Sequence, residues 1–285
     1  TAAMALPQAH GAQATLKLTL SQSGAKLHLY YSAFPTALTR RCVLENTGDS
    51  PIHFNKLMSF SMDLPGSYTM ATFNGGWIAE MQRCDTTVGM SRVVNESATG
   101  ASSNQHNPGF LLSEEGASED AGRVYGFNLI YSGNHYASCQ RSFQGLTRVQ
   151  QGINPDNFAQ ILQPGEQFET PEAVLCHSEE GFGGLSKNMH TFVNDHIIPA
   201  FWRNRPRPVL YNSWEGCVFD FNQSRLLDLA NRAKNLGCEL FVLDDGWFGA
   251  RNNDKAGLGD YSVNRKKLPH GMDGLANRIR KKGLD

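Results

Sequence analysis

Two adjacent carboxylates, Asp244 and Asp245, end the apolar run of LFVLDDGWFG, Leu240 to Gly249. Leu240, Phe241, Val242 and Leu243 read as a strand buried on both faces of a parallel sheet. Carboxylates are rarely buried without partners. The pair therefore belongs at the C-terminal edge of that sheet, where parallel α/β folds place their ligands. Gly246 lets the chain turn, and Trp247 supplies an apolar face beside the acceptors. Charged acceptors make stronger hydrogen bonds than neutral ones, so the combination suits a polar, ring-shaped ligand such as a sugar.

Two other readings compete. Glycoside hydrolysis uses two carboxyl groups that flank the scissile bond, about 5 to 5.5 Å apart in retaining enzymes. Neighbours on a strand point to opposite faces, so Asp244 and Asp245 fit that role poorly. Alternatively they cap the following turn or meet solvent. Metal binding lacks support, because no histidine is near before His270. A second cluster, LYNSWEG, places Asn212, Ser213, Trp214 and Glu215 at the same edge. Trp214 and Trp247 would wall a sugar site on two sides, or either could be core. Asp260, in LGDYSVN, either faces the pocket or caps a turn.

These residues need a scaffold. Val209 to Asn212 reads as a short strand, and Leu226, Leu229, Ala230, Ala233 and Leu236 fall on one helical face, with Gly237 as the cap. Cys238 to Leu243 is the next strand, and Gly271 to Lys282 the next helix, with Leu275 and Ile279 four apart and Gly283 as its cap. Strand, helix, strand, helix is a parallel βαβ pattern. A complete (β/α)₈ barrel takes about 250 residues, and only 80 follow Arg205 (285 minus 205). The expectation is a fragment of a longer protein with room for two of the eight units.

Residues 13 to 178 follow a different grammar. In ATLKLTLSQSGAKLHLYYSAF, Leu16, Leu18 and Leu20 share one face and Lys17 and Thr19 the other, before the Ser23-Gly24 turn. Leu27 and Leu29 repeat the pattern. Leu38 to Asn46, Ile52 to Met62, Val124 to Tyr131, Tyr136 to Phe143, Thr147 to Ile153 and Glu172 to His177 are further strand candidates. Many short antiparallel strands imply a β-sandwich. The Ser-, Asn- and Gly-rich stretch from Asn95 to Gly109 reads as a long loop, ordered or disordered, and its His106 lacks metal-ligand spacing, which favours a structural or surface role over a functional one. Gly181 to Asn204 carries Leu185, Met189, Phe192, Val193 and Ile197 near helical spacing. This reads as a linking helix, stopped by Arg205-Pro206-Arg207-Pro208. The expected domains are 1–180 (sandwich), 181–205 (linker) and 206–285 (start of the barrel).

The formal net charge of -1 without a basic block leaves no electrostatic footprint for nucleic acid or an anionic membrane. No apolar run approaches the roughly 20 residues of a spanning helix. The first residues, TAAMALPQAHGAQA, lack a basic n-region and a sustained apolar core, so no intact signal peptide is visible. Six cysteines are scattered without CxxC spacing and read mostly as small core residues. The sequons at Asn95 and Asn222 leave secretion open. No cofactor is expected.

The stretch NSWEGCVFDFNQSRLLDLANRAKNLGCELFVLDDGWFGARNNDKAGLGDYSVNRKKLPHGMDGLANRI resembles the beginning of the catalytic barrel of glycoside hydrolase family 36 α-galactosidases. GASSNQHNP, VYGFNLIYSGN, TRVQQGINPDNFAQILQPGEQFETPEAVL and LSKNMHTFVNDHI resemble that family's N-terminal β-sandwich domain and the linker after it. The resemblance implies a mainly β, then α/β chain. It would hold an antiparallel β-sandwich (a supersandwich) lacking its earliest strands, a linking helix, and the first two βα units of a (β/α)₈ TIM barrel. It also implies a retaining hydrolase of terminal α-galactose in oligosaccharides such as melibiose and raffinose, in a tetrameric parent, cytoplasmic if bacterial and secreted if fungal. The positions of Trp214, Asp244 and Asp245 would form the galactose subsite. The catalytic aspartates would sit on later barrel strands, beyond this chain. Departures are Asn104, where the family often has His, and Tyr261, where it often has Trp. A galactosyl-transferring relative and a non-enzymatic carbohydrate-binding module remain as alternatives.

Overall fold

The computed structural model describes residues 6–285. The chain divides between Arg203 and Asn204 into two compact units. In the first, nine strands form the larger sheet, in the order Ala14–Gln22, Ala25–Ala33, Ala37–Asn46, Glu172–Ser178, Val124–Ile130, His106–Ser113, Thr69–Asn74 and Gln82–Thr87, with Gln167–Glu169 also pairing Ala37–Asn46. Met58–Pro65, Leu146–Ile153, His135–Arg141 and Val93–Glu96 form a second sheet of four. All of these pairings are antiparallel.

Alternation along the strands explains why the sheets stack. From the larger sheet Met70, Phe110, Leu112, Phe127, Leu129, Ala173 and Leu175 enter one core with Phe60, Leu64, Ala137, Cys139 and Val149 of the smaller. Phe110 and Phe127 stack at 4.7 Å between centroids, and Phe60 meets Phe127 edge-on at 5.9 Å. The intervening residues, Val124, Val174 and Cys176, face the other way and pack under Leu185 and Phe192 of the helix Gly181–Phe192. Gly126 makes room for that helix, since a Cβ there would lie 3.1 Å from Leu185.

Several sequence expectations need correction. Ile52 to Met62 is two strands: Ile52–Phe54 pairs with Gln160–Leu162 in a separate ribbon, and Met58–Pro65 joins the smaller sheet. The polar stretch from Asn95 is partly strand, since Asn95 and Glu96 end one and His106 opens another. The helix after Gly181 passes through a π-helical turn, Val193–Ile197, and stops at Ile198, which is extended with ψ 131°. Pro199 enforces that conformation on its predecessor, so the stop comes before Arg205-Pro206. The Leu16, Leu18 and Leu20 stripe exists, paired with Tyr31, Leu29 and Leu27, yet it reaches no core: the three are 57%, 43% and 59% exposed.

In the second unit, Leu210–Asn212 and Leu240–Val242 pair in parallel. The helix Gln223–Asn235 follows the first strand, and Gly271–Arg280 comes after the second. Asn222 caps the former, accepting from the Arg225 N–H at 3.0 Å. Leu226, Ala230, Ala233, Phe241, Leu268, Leu275 and Ile279 are buried. Leu236, assigned to the buried helical face, is 84% exposed, because the helix ends at Asn235 and Gly237 turns away with φ +89°. The second strand is less enclosed than a central parallel strand: only Phe241 of Leu240–Val242 is buried. Leu284 is buried, and Asp285 pairs beside this strand, donating to Glu239 O at 3.0 Å and accepting from Phe241 N–H at 2.9 Å. No helix among the described residues is long and apolar enough to cross a membrane.

The contrast between the two faces is testable by urea unfolding. Phe127→Ala, in the inter-sheet core, should destabilise the first unit by about 3–5 kcal/mol. Leu18→Ala, on the open stripe, should stay within about 0.5 kcal/mol of the parent chain.

Candidate functional site

The parallel register creates the site. Asn212 lies opposite Val242, and just past that pair side chains replace the ladder. Ser213, buried, donates its N–H to Val242 O at 3.0 Å, and its Oγ accepts the Asp244 N–H at 3.0 Å. The Asn212 amide donates to Asp244 Oδ2 at 2.6 Å and accepts the Trp214 N–H at 2.8 Å. Asn212, Trp214 and Asp244 are thereby tied together across two strand ends.

Trp214 opens a one-turn helix, Trp214–Cys217, and meets Phe219 edge-on at 5.0 Å. Val218 closes that turn with φ +47°, a left-handed conformation that is strained for a β-branched residue. Such strain clusters at functional sites. Glu215 is exposed.

Asp245 has a different environment. Its Oδ1 accepts from the Gly246 N–H at 2.6 Å and from Arg251 Nε at 2.9 Å, and its Oδ2 accepts from Arg251 Nη2 at 2.6 Å. The Arg251 side chain is 7% exposed and the Asp245 side chain 24%. The Arg251 hydrogen bonds hold the Asp245 carboxyl below its ordinary value of 3.8, and the Gly246 N–H adds to this while burial opposes it. Lys267 anchors the same loops. Its Nζ donates to Phe219 O at 3.0 Å and Gly246 O at 2.9 Å, with a longer contact to Arg251 O at 3.4 Å. Burial pushes this ammonium down from its ordinary value, against the neighbouring Asp220 and Asp245 charges.

Trp247 packs against Phe248 at 5.0 Å and Tyr261 at 6.4 Å, so the two tryptophans rest on different aromatic partners. Asp260 is exposed, with its carboxylate against Gly249, where an added Cβ would lie 2.9 Å from Oδ2. The structure thus gathers Asn212, Trp214, Asp244 and Asp245 at neighbouring strand ends and sets Trp247 and Asp260 on the loop that follows.

Arg251 and Lys267 were not singled out from the sequence. Their signal is weak, since each follows the carboxylates at a loop spacing with no periodicity. The remaining candidates have structural partners. His106 bonds Asn74 Oδ1 at 3.0 Å, and its carbonyl meets His135 Nε2 at 3.0 Å. Asn95 is buried and donates to Asn107 O at 2.8 Å, which leaves that sequon inaccessible. Cys42, Cys139, Cys176 and Cys217 are buried free thiols, and burial pushes Cys139 and Cys176 up to about 12. Among the described residues no cluster of His, Cys, Asp or Glu could hold a metal ion.

Comparison with known proteins matches two family domains along the chain. The glycosyl hydrolase family 36 N-terminal domain matches residues 2–163, and the Melibiase domain matches residues 167–285. The chain is 40% identical to α-galactosidase AgaA of Geobacillus stearothermophilus over 277 residues, 95% of this chain and 38% of that one. It is 39% identical to α-galactosidase 2 of Hypocrea jecorina, over 91% of this chain and 36% of that one. The structures of AgaA variants with raffinose and with stachyose superpose with a TM-score of 0.93 at 38% identity, covering 98% of this chain and 40% of theirs. The chain spans little more than a third of the length of these curated relatives.

The Asp245–Arg251 pair carries a pH signature. A carboxylate held low in the folded state contributes stability that is complete above its unfolded value near 3.8 and is lost as pH falls through the lower folded value. Asp245→Asn should therefore be less stable than the parent chain at neutral pH. Denaturant midpoints should converge as the pH drops below about 3.8, and a gap that is constant with pH would contradict the linkage.

Proposed function

This chain belongs to glycoside hydrolase family 36, and from that premise we propose that the whole protein removes terminal α-D-galactose from oligosaccharides such as melibiose and raffinose, with retention. The observation that carries this reading is the conjunction of two adjacent carboxylates, a tryptophan and an asparagine at neighbouring parallel strand ends, in a chain whose relatives are α-galactosidases. AgaA structures hold raffinose and stachyose. Asp244 and Asp245 accept galactose hydroxyls, Trp214 offers its ring face to the sugar, and Asn212 fixes Asp244. Trp247 and Asp260 contribute to the outer wall.

Acceptors of this kind bind rather than break the glycosidic bond. Both carboxylates are already engaged by N–H donors, and for Asp245 the Arg251 hydrogen bonds favour the ionised form, which does not suit a proton donor. In this proposal the nucleophile and the acid/base come from later strands of a (β/α)₈ barrel whose first two units lie here. The whole protein is also proposed to be a homo-oligomer.

The 285 residues alone should not turn over p-nitrophenyl α-D-galactoside. Hydrolysis that responds to mutations within this chain would overturn the assignment of the catalytic groups to other segments. A sugar-binding module on the sandwich is the reading from another class, and calorimetry separates the two. Galactose binding to the whole protein should vanish in the Asp244→Ala, Asp245→Ala variant, whereas unchanged binding would place the site elsewhere. A galactosyl transferase would pass galactose to sugar rather than to water.

A further inference from the structure

We propose that Arg251 is a positioning residue of the galactose-holding site, whose guanidinium fixes the orientation in which the Asp245 carboxylate meets the sugar. The inference rests on the functional reading above and adds a residue to it. Three N–H groups make four contacts with Asp245: Gly246 N at 2.6 Å and Arg251 Nε at 2.9 Å on Oδ1, and Arg251 Nη2 at 2.6 Å and the shared Nε at 3.0 Å on Oδ2. Asp244 accepts two, from Asn212 at 2.6 Å and from the Asp245 N–H at 2.7 Å. The two carboxylates are therefore held unequally: Asp245 carries four such contacts, three of them from one guanidinium, and Asp244 two.

Arg251 also joins the two halves of the site. Its guanidinium lies over the Phe219 ring at 5.5 Å, and Phe219 is the ring that supports Trp214 at 5.0 Å. Its Nη1 donates to Ala256 O at 2.9 Å, which fixes the plane of the fork. A buried guanidinium with every contact assigned to the carboxylate, its own loop or that ring is set for one orientation of Asp245. Lysine cannot reproduce it, because an ammonium lacks the planar two-donor fork.

The test uses steady-state kinetics of the whole protein with p-nitrophenyl α-D-galactoside from pH 4 to 8, on the parent, Arg251→Lys, Arg251→Gln and the neutral pair Asp245→Asn/Arg251→Gln. Loss of a contact made equally to substrate and transition state raises KM with kcat preserved. Arg251→Lys should raise KM about tenfold with a much smaller change in kcat. Arg251→Gln should in addition shift the acid limb of kcat/KM to higher pH, as Asp245 is released from its low value. Thermal melting supplies the folded fraction, and the neutral pair should fold and yet keep the raised KM. Unchanged KM and acid limb in both single variants, or losses matching the unfolded fraction alone, would overturn the proposal. A parent protein that does not cleave the galactoside would remove the functional reading, and this inference with it.

Discussion

The parallel register between Leu210–Asn212 and Leu240–Val242 is the constraint on which the site depends. It sets Asn212 level with Val242, so an amide from one strand reaches a carboxylate two residues further along the other, at 2.6 Å. A slip of one residue would turn Asn212 to the opposite face and separate it from Asp244. Ser213 reinforces the register by replacing the backbone ladder where it ends, with its N–H on one strand partner and its Oγ on the next. Each of these three residues sits where its side chain can continue a hydrogen-bond pattern that the backbone begins.

Much of this was legible because it is local. An apolar run that stops at Asp-Asp-Gly-Trp announces a strand end, and the helical faces around Leu226 and Leu275 follow from spacing alone. Gly237 and Gly283 mark helix ends with positive φ, as their positions suggested. Arg251 and Lys267 were not legible, because their partners are chosen by the path of a loop. Nothing in a one-dimensional pattern says that a lysine 21 residues past Gly246 will return to its carbonyl.

The sandwich shows the same limit from another side. Gln82–Thr87 is exposed at every position, so it carries no alternation and was missed. His106–Ser113 contains Pro108 and begins in a polar tract, which disguised a strand that contributes Phe110 and Leu112 to the core. The Leu16 stripe erred in the opposite direction, with clear alternation and no cover. Periodicity reports that a strand has two faces, while burial depends on what is stacked against them.

Two neighbouring carboxylates repel, and the second unit answers this asymmetrically. Asp244 is met by a neutral amide and a backbone N–H, whereas Asp245 is met by a guanidinium and lies within the field of the Lys267 ammonium. An opposite charge lowers a carboxyl pKa, so the Arg251 guanidinium and the Lys267 ammonium favour the ionised form of Asp245 beside its neighbour. Neither cation is on a strand. Arg251 and Lys267 both come from the segment between Leu240–Val242 and Gly271–Arg280, which explains why that connection is long when an ordinary strand-to-helix loop needs about 2 to 6 residues. Lys267 uses its N–H groups on carbonyls of both loops and so sets where Arg251 stands; Arg251 sets how Asp245 points. The polar rim of this sheet is thus built by its loop as much as by its strands.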